Sequence, residues 1–108
     1  MNYRKERMGE EIRANLSRMM REELELKDML VTITDVVVTG DLSEARVRVS
    51  VLPDDKGKEA IRILAKFAGR FQGMLLRKMN VKPLPRIAFE IDHGPQKAAE
   101  VEKMLLGE

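Results

Sequence analysis

The strongest structural signal in the chain lies at residues 30–51, which read LVTITDVVVTGDLSEARVRVSV. The first nine of these residues are rich in β-branched side chains, which favour a strand. Gly40 then supplies the conformational freedom that a tight turn requires. Beyond the turn, residues 45–51 alternate valine or alanine with arginine or serine, which is typical of a strand with one buried and one polar face. The pattern predicts an antiparallel hairpin.

Helical periodicity occurs on both sides of this hairpin. Apolar residues recur every three or four positions over residues 3–26 and again over residues 58–79, which predicts two amphipathic helices. The second helix contains Gly69 and Gly73, and each costs about 1 kcal/mol relative to alanine in a helix interior. We therefore expect a kink or break there. Residues 87–91 alternate again and predict a third strand.

The predicted order is helix, strand, strand, broken helix, strand, with residues 96–106 as a short terminal helix. Because the long helices must cover one face of the sheet, this order predicts an α+β fold with two layers. The length of 108 residues is that of one domain. We expect a single domain over residues 1–108, with its core at about 3–92 and a turn and terminal helix at 93–108.

The composition excludes several classes of protein. The chain has no cysteine and one histidine, His93, which excludes disulfide scaffolds, thiol catalysis and cysteine-ligated metals. His93 lies in a predicted turn, no acidic pair has a spacing that fixes it on one element, and no nucleotide-binding or metalloprotease motif is present. No apolar run exceeds three residues, which is too short for a membrane-spanning helix or a secretory signal. We expect a protein without catalytic activity, metal or cofactor.

Positive charge is concentrated in one segment of the chain. Residues 58–86 hold eight lysines and arginines against one acid, a net charge of +7, whereas residues 1–57 carry −2 and residues 87–108 carry −3. Such polarisation is typical of a protein that binds a polyanion. The low aromatic content of three phenylalanines and one tyrosine argues against recognition by stacking single-stranded bases.

The basic segment offers a specific site. A helix that begins after a break at Gly69 or Gly73 would present unpaired backbone N–H groups to a phosphate, and glycine lets a nucleic-acid backbone approach closely. In the alternative, the glycines only permit close helix packing and the cations solvate an outer face. On the second strand, arginines either extend the phosphate-binding surface or keep a sheet face soluble. The predicted RNA-binding residues are Arg46, Arg48, Lys66, Gly69, Arg70, Gly73, Arg77, Lys78 and Lys82.

Two stretches resemble the ribosome-binding factor A family, whose fold is a type II KH domain. The hairpin contains the family's "DV", "DL" and "A-x-V-x-V-S" elements over residues 31–50, and residues 85–92, PRIAFEID, are similar to its "P-x-L-x-F-x-x-D" strand. The chain departs from the family at three positions near the predicted break. Phe67 stands where the family prefers alanine, Gln72 where it tends to carry arginine, and Lys82 where an arginine is common.

The resemblance implies a KH-like, cytoplasmic factor that binds the 16S rRNA of the immature 30S subunit. It further implies a role in late subunit maturation, rRNA processing and cold adaptation, and release by a partner GTPase. It implies no membrane partner, and we expect a monomer because no heptad pattern demands a dimer. Two alternatives stay open: a general KH-type RNA-binding protein, and a protein-interaction module that docks through apolar, methionine-bearing surfaces.

Overall fold

Helices and strands follow the predicted order in the computed structural model, which describes residues 4–81 and 83–94. Lys82 and the predicted terminal helix lie outside the described residues. A short 3-10 helix at Asp54–Lys56 precedes the second long helix. The main elements are α1 (Arg4–Glu23), β1 (Leu30–Val38), β2 (Glu44–Leu52), α2 (Gly57–Met79) and β3 (Arg86–Ile91).

The sheet has the strand order β1-β2-β3. The predicted hairpin is confirmed, since β1 and β2 pair antiparallel from Leu30 opposite Leu52 to Val38 opposite Ala45, with a bulge between Ile33 and Asp35. β3 pairs parallel to β2. Because parallel neighbours need a crossover connection, α2 carries the chain from one end of the sheet to the other.

The core lies between one face of the sheet and the two helices, which confirms the predicted α+β two-layer fold. Along β2 the small and branched side chains at alternate positions are fully buried, while the arginines between them point to the opposite face. The helices contribute the larger side chains to the same core. The fully buried residues include Ile12, Leu16, Ala45, Val47, Val49, Leu64, Phe71 and Leu75.

Close contact between α1 and β1 depends on a glycine. Gly9 is buried, and a β-carbon at this position would lie 3.1 Å from the carbonyl oxygen of Val36 and 3.7 Å from Cγ2 of Val38. The backbone of α1 can therefore approach the strand only because this residue has no side chain.

Of the kink or break predicted in the second helix, a break is not formed. α2 is a single helix of 23 residues that runs through Gly69 and Gly73. The two glycines together cost about 2 kcal/mol of helix propensity, whereas fully burying one leucine or phenylalanine contributes a similar amount, and α2 buries Leu64, Phe71 and Leu75 completely. Tertiary packing thus outweighs the local preference.

Candidate nucleic-acid interface

One exposed face of α2 carries a row of cations. Lys58, Arg62, Lys66 and Arg70 are four residues apart and all exposed, so they share one side of the helix. With a rise of about 1.5 Å per residue, the row is about 18 Å long. Lys58 and Arg62 were not among the predicted RNA-binding residues, although their spacing from Lys66 was a signal that could have found them.

Most cations of α2 have no anionic partner among the residues that the structure describes. Arg70 is the exception, because its Nη2 lies 3.1 Å from Oε1 of Glu23 on α1. The other exposed cations on this face and in the last turn of the helix make no ion pair or side-chain hydrogen bond with a described residue. These unpaired cations are Lys58, Arg62, Lys66, Arg77 and Lys78. Their charge is available to an external anion.

Gly69 and Gly73 lie on the same side of the helix as the cations, since Lys66, Gly69, Gly73 and Arg77 are spaced three and four apart. A β-carbon at Gly69 would meet nothing within 4 Å, and one at Gly73 would meet only Nη1 of Arg77, at 3.7 Å. Among the residues that the structure describes, the glycines therefore do not permit contact with another helix. They leave a gap without side chains in the row of cations.

The helix-start phosphate site predicted at these glycines is not formed. In a continuous helix, the backbone N–H groups around Gly69 and Gly73 donate to the carbonyl oxygens of the preceding turn. Backbone donors are thus unavailable, and any attraction for phosphate at α2 comes from the side chains. We define this site, formed by Lys58, Arg62, Lys66, Gly69, Gly73 and Arg77, as the α2 face.

The arginines of β2 lie elsewhere. Arg46 and Arg48 point to the sheet face opposite the helices, so they do not extend the α2 face. Nε of Arg48 lies 2.9 Å from Oε1 of Glu90, and this hydrogen bond raises the pKa of the guanidinium. Nε of Arg46 lies 3.7 Å from Oε1 of Glu44. Their placement beside carboxylates favours the interpretation that they keep the outer sheet face soluble.

Gln72 fastens α2 to the start of β3. Its Nε2 donates to the carbonyl oxygen of Pro85 at 2.8 Å, and the N–H of Ile87 donates to its Oε1 at 2.9 Å. At the position where the family tends to carry arginine, this chain therefore has a half-buried structural amide. Arg70 does not replace that arginine with a free charge, because it is paired with Glu23. No local sequence signal reveals the role of Gln72.

Two of the aspartates that a catalytic interpretation would need accept hydrogen bonds within the fold, Asp41 in the turn after β1 and Asp92 after β3. The carboxylate of Asp41 accepts hydrogen bonds from Oγ1 of Thr39 at 2.8 Å and from Oγ of Ser43 at 2.7 Å. Led by the bond from Ser43, these contacts lower the pKa of Asp41 to about 2. Asp92 accepts from Oγ1 of Thr34 at 2.7 Å, which lowers its pKa too.

Over residues 4–81 and 83–94, no group of three or more histidine, cysteine or acidic side chains is placed to hold a metal ion. No helix in that part of the chain is both long enough and apolar enough to span a bilayer.

Comparison with known proteins gives a consistent family. The model of the family described as ribosome-binding factor A matches residues 4–105. Ribosome-binding factor A of Caldanaerobacter subterraneus subsp. tengcongensis is 35% identical over 97% of this chain and 88% of its own length. That of Macrococcus caseolyticus is 32% identical over 97% of this chain and 94% of its own length.

Solved structures agree with these relatives. A solution structure of a Thermotoga maritima protein described as a ribosome-binding factor A superposes on this chain with a TM-score of 0.72. The two are 30% identical, and the match covers 87% of this chain and 93% of that chain. A Thermus thermophilus ribosome-binding factor A model, fitted into the cryo-EM map of a 30S complex, gives 0.59 at 29% identity over 76% and 92%. The chain belongs to the ribosome-binding factor A family.

Proposed function

We propose that this protein is a ribosome-assembly factor that binds the 16S rRNA of the immature 30S subunit through the α2 face and assists late maturation and rRNA processing. The observation that carries the proposal is the coincidence, on one exposed face, of cations unpaired with any described residue and two positions that have no side chain. Family membership supports it, as does the relative from Thermus thermophilus that was fitted into a 30S complex.

The α2 face suits recognition of a folded RNA backbone. Lysine and arginine attract phosphates whatever the base sequence, and binding releases counterions from the RNA. The glycines let a sugar–phosphate strand approach the helix surface without a steric barrier. The rings of Phe67 and Phe71 stack on the inner side of α2, with their centroids 5.8 Å apart, and pack against the core. They are therefore not placed to stack with RNA bases. The interface therefore reads the shape and phosphate positions of the RNA.

Family membership supports further expectations about how the complex with the 30S subunit forms and dissociates. We expect a cytoplasmic monomer that acts in cold adaptation and leaves the subunit through a partner GTPase. None of these steps requires catalysis by this chain.

Co-sedimentation with purified 30S subunits, 50S subunits and 70S ribosomes, at low and moderate salt, tests the proposal. We expect selective recovery with 30S subunits that weakens as salt rises. Immature subunits should retain more protein than free 16S rRNA, because the site reads shape. Equal recovery with every particle, or with free RNA, would leave only a general RNA-binding protein.

A pair of double variants locates the site. Arg62→Gln/Lys66→Gln removes two positive charges from the α2 face. Arg46→Gln/Arg86→Gln removes two positive charges from the outer sheet face, and the side chains changed in both variants are exposed. We expect the first double variant to lose most 30S recovery and the second to keep it. If both lose recovery equally, net charge and not the α2 face determines binding.

A further inference from the structure

An apolar groove lies on a different part of the molecule, between the end of α1 and the start of β1. Its volume is about 510 Å³, and none of its lining residues belongs to α2. We call it the α1–β1 groove and define it by the lining residues that matter below. These are Arg13, Arg21, Leu24, Met29, Leu30 and Val31.

The groove continues into exposed apolar surface. Leu30 lies at its rim with 60% of its surface exposed, and Leu52, its partner across the hairpin, is 59% exposed. These are the most exposed large apolar residues of the part of the chain that the structure describes. A concave apolar groove joined to such a patch is typical of a surface that another protein covers.

The charges at the groove are all positive. Arg13 and Arg21 are its only charged lining residues. Nη2 of Arg13 donates to the carbonyl oxygen of Ile33 at 3.2 Å, which holds this guanidinium beside β1. Arg21 has no ion pair or side-chain hydrogen bond with any described residue. Charge complementarity therefore requires a partner with carboxylates next to apolar side chains.

The backbone at the groove belongs to an edge strand. β1 pairs with β2 on one side, and no described strand pairs with its other side. Four consecutive residues of β1, 30–33, line the groove. An extended peptide that enters the groove would thus meet a strand edge along its length, which is the arrangement used when a peptide adds a strand to a sheet.

We propose that the α1–β1 groove binds an extended segment of a partner protein, in which acidic and apolar side chains alternate, as an additional strand on the free edge of β1. Because alternate side chains of a strand face opposite sides of the sheet, the carboxylates lie on the side of α1 and pair with Arg13 and Arg21. The apolar side chains lie on the other side and cover Leu30. Because the groove contains no residue of the α2 face, the protein can hold RNA and this partner at the same time.

Selection from a displayed library of random dodecapeptides on the immobilised full-length chain tests the groove. We expect the enriched peptides to alternate acidic and apolar residues. Arg21→Glu and Leu30→Asp should each weaken their binding by about tenfold or more, since both residues would be central contacts. Arg62→Glu, on α2, and Val37→Asp, at the far end of β1, are the matched controls. Both should bind the enriched peptides as the parent does. Thermal unfolding verifies that all four variants are folded.

Backbone N-methylation of an enriched peptide tests strand addition. In an added strand, only every second N–H faces the edge of the sheet, so methylation of one alternate set should abolish binding and methylation of the other should not. Loss of binding with both sets would indicate a helical ligand and overturn the proposal.

Four other results would also overturn it. Enriched peptides that ignore Arg21→Glu and Leu30→Asp, or no enriched peptides, would show that the groove is not a peptide site. A dimer that Leu30→Asp dissociates would assign the patch to a second copy of this chain. Loss of RNA binding in Arg21→Glu would place this arginine in the RNA interface.

Discussion

At the scale of single residues, two helical glycines have opposite surroundings. Gly9→Ala would place a methyl group 3.1 Å from a strand carbonyl oxygen that the sheet holds in place, whereas Gly69→Ala would meet open space. We expect Gly9→Ala to lower the free energy of unfolding by on the order of 1 kcal/mol through overpacking. Gly69→Ala should raise it by about 1 kcal/mol through helix propensity. Urea denaturation measures both, and a more stable Gly9→Ala variant would contradict the close packing of α1 on β1.

The same glycine also tests the RNA interface. Because Gly69 leaves a gap in the α2 face, we expect Gly69→Ala to bind 30S subunits more weakly even though its fold is more stable. Ala68→Ser, a change of similar size at the neighbouring half-buried position, is the control and should leave binding unchanged. Parental affinity in Gly69→Ala would mean that RNA does not approach the helix at this point.

Asp41 gives the turn between β1 and β2 a dependence on pH. Its folded-state pKa is about 2, below the ordinary value of 3.8. The depressed pKa stabilises the folded protein above pH 3.8, and this contribution is lost as the pH falls through about 2. We expect Asp41→Asn to be less stable than the parent at pH 7, with the difference shrinking as the pH falls through this range.

Asp54→Asn is the control for the loss of one exposed carboxylate, because the carboxylate of Asp54 makes no hydrogen bond or ion pair with a described residue. At pH 7 its stability should equal that of the parent. A difference for Asp41→Asn that stays constant down to pH 2 would show that the hydrogen bonds from Thr39 and Ser43 do not depend on the charge.

At the scale of elements, the position of α2 on the sheet depends on the amide of Gln72. Gln72→Leu keeps a side chain of similar size but leaves the carbonyl oxygen of Pro85 and the N–H of Ile87 without their hydrogen-bond partner. We expect a loss of about 1–3 kcal/mol in the free energy of unfolding and faster hydrogen exchange at Ile87. Arg70→Leu, which removes a partly exposed ion pair, should cost less than about 1 kcal/mol. Equal losses in the two variants would show that Gln72 is not a structural link.

The elements also show which features are local enough to predict from sequence. The bounds of the hairpin strands follow from alternation and turn chemistry within residues 30–51. The break at Gly69 and Gly73 was a prediction from local propensity, and it fails because Phe71 and Leu75 on the same helix are fully buried. The parallel pairing of β3 with β2 joins segments about 40 residues apart, so no local pattern encodes it.

The candidate site, like the fold, was predictable where it depends on local spacing and not where it depends on distant contacts. Spacing alone places Lys66, Gly69, Gly73 and Arg77 on one face of a helix. Which cations are free is decided by distant partners, as for Arg70 with Glu23 and for Arg48 with Glu90. The inward role of Gln72 likewise depends on residues that follow the helix.

At the scale of the whole molecule, the asymmetric charge predicts how affinity depends on salt. The logarithm of the binding constant should fall linearly with the logarithm of salt concentration, by about 0.7–0.9 for each phosphate contact. We expect Arg62→Gln/Lys66→Gln to reduce this slope by about two contacts and Arg46→Gln/Arg86→Gln to leave it unchanged. Titrations of labelled 30S subunits at several salt concentrations measure the slopes. An unchanged slope in the first variant would exclude direct phosphate contacts by those two residues.

The parallel pairing of β3 also orders the events of synthesis. Strands β1 and β2 can pair as soon as residue 52 has left the ribosome, because their contacts are local. The other edge of β2 must wait until α2 and residues 86–91 have also left the ribosome. During that interval the nascent hairpin presents an open, valine-rich edge, which is a hazard for aggregation. Pauses in translation before residues 86–91 have left the ribosome would lengthen this exposure, whereas later pauses would not.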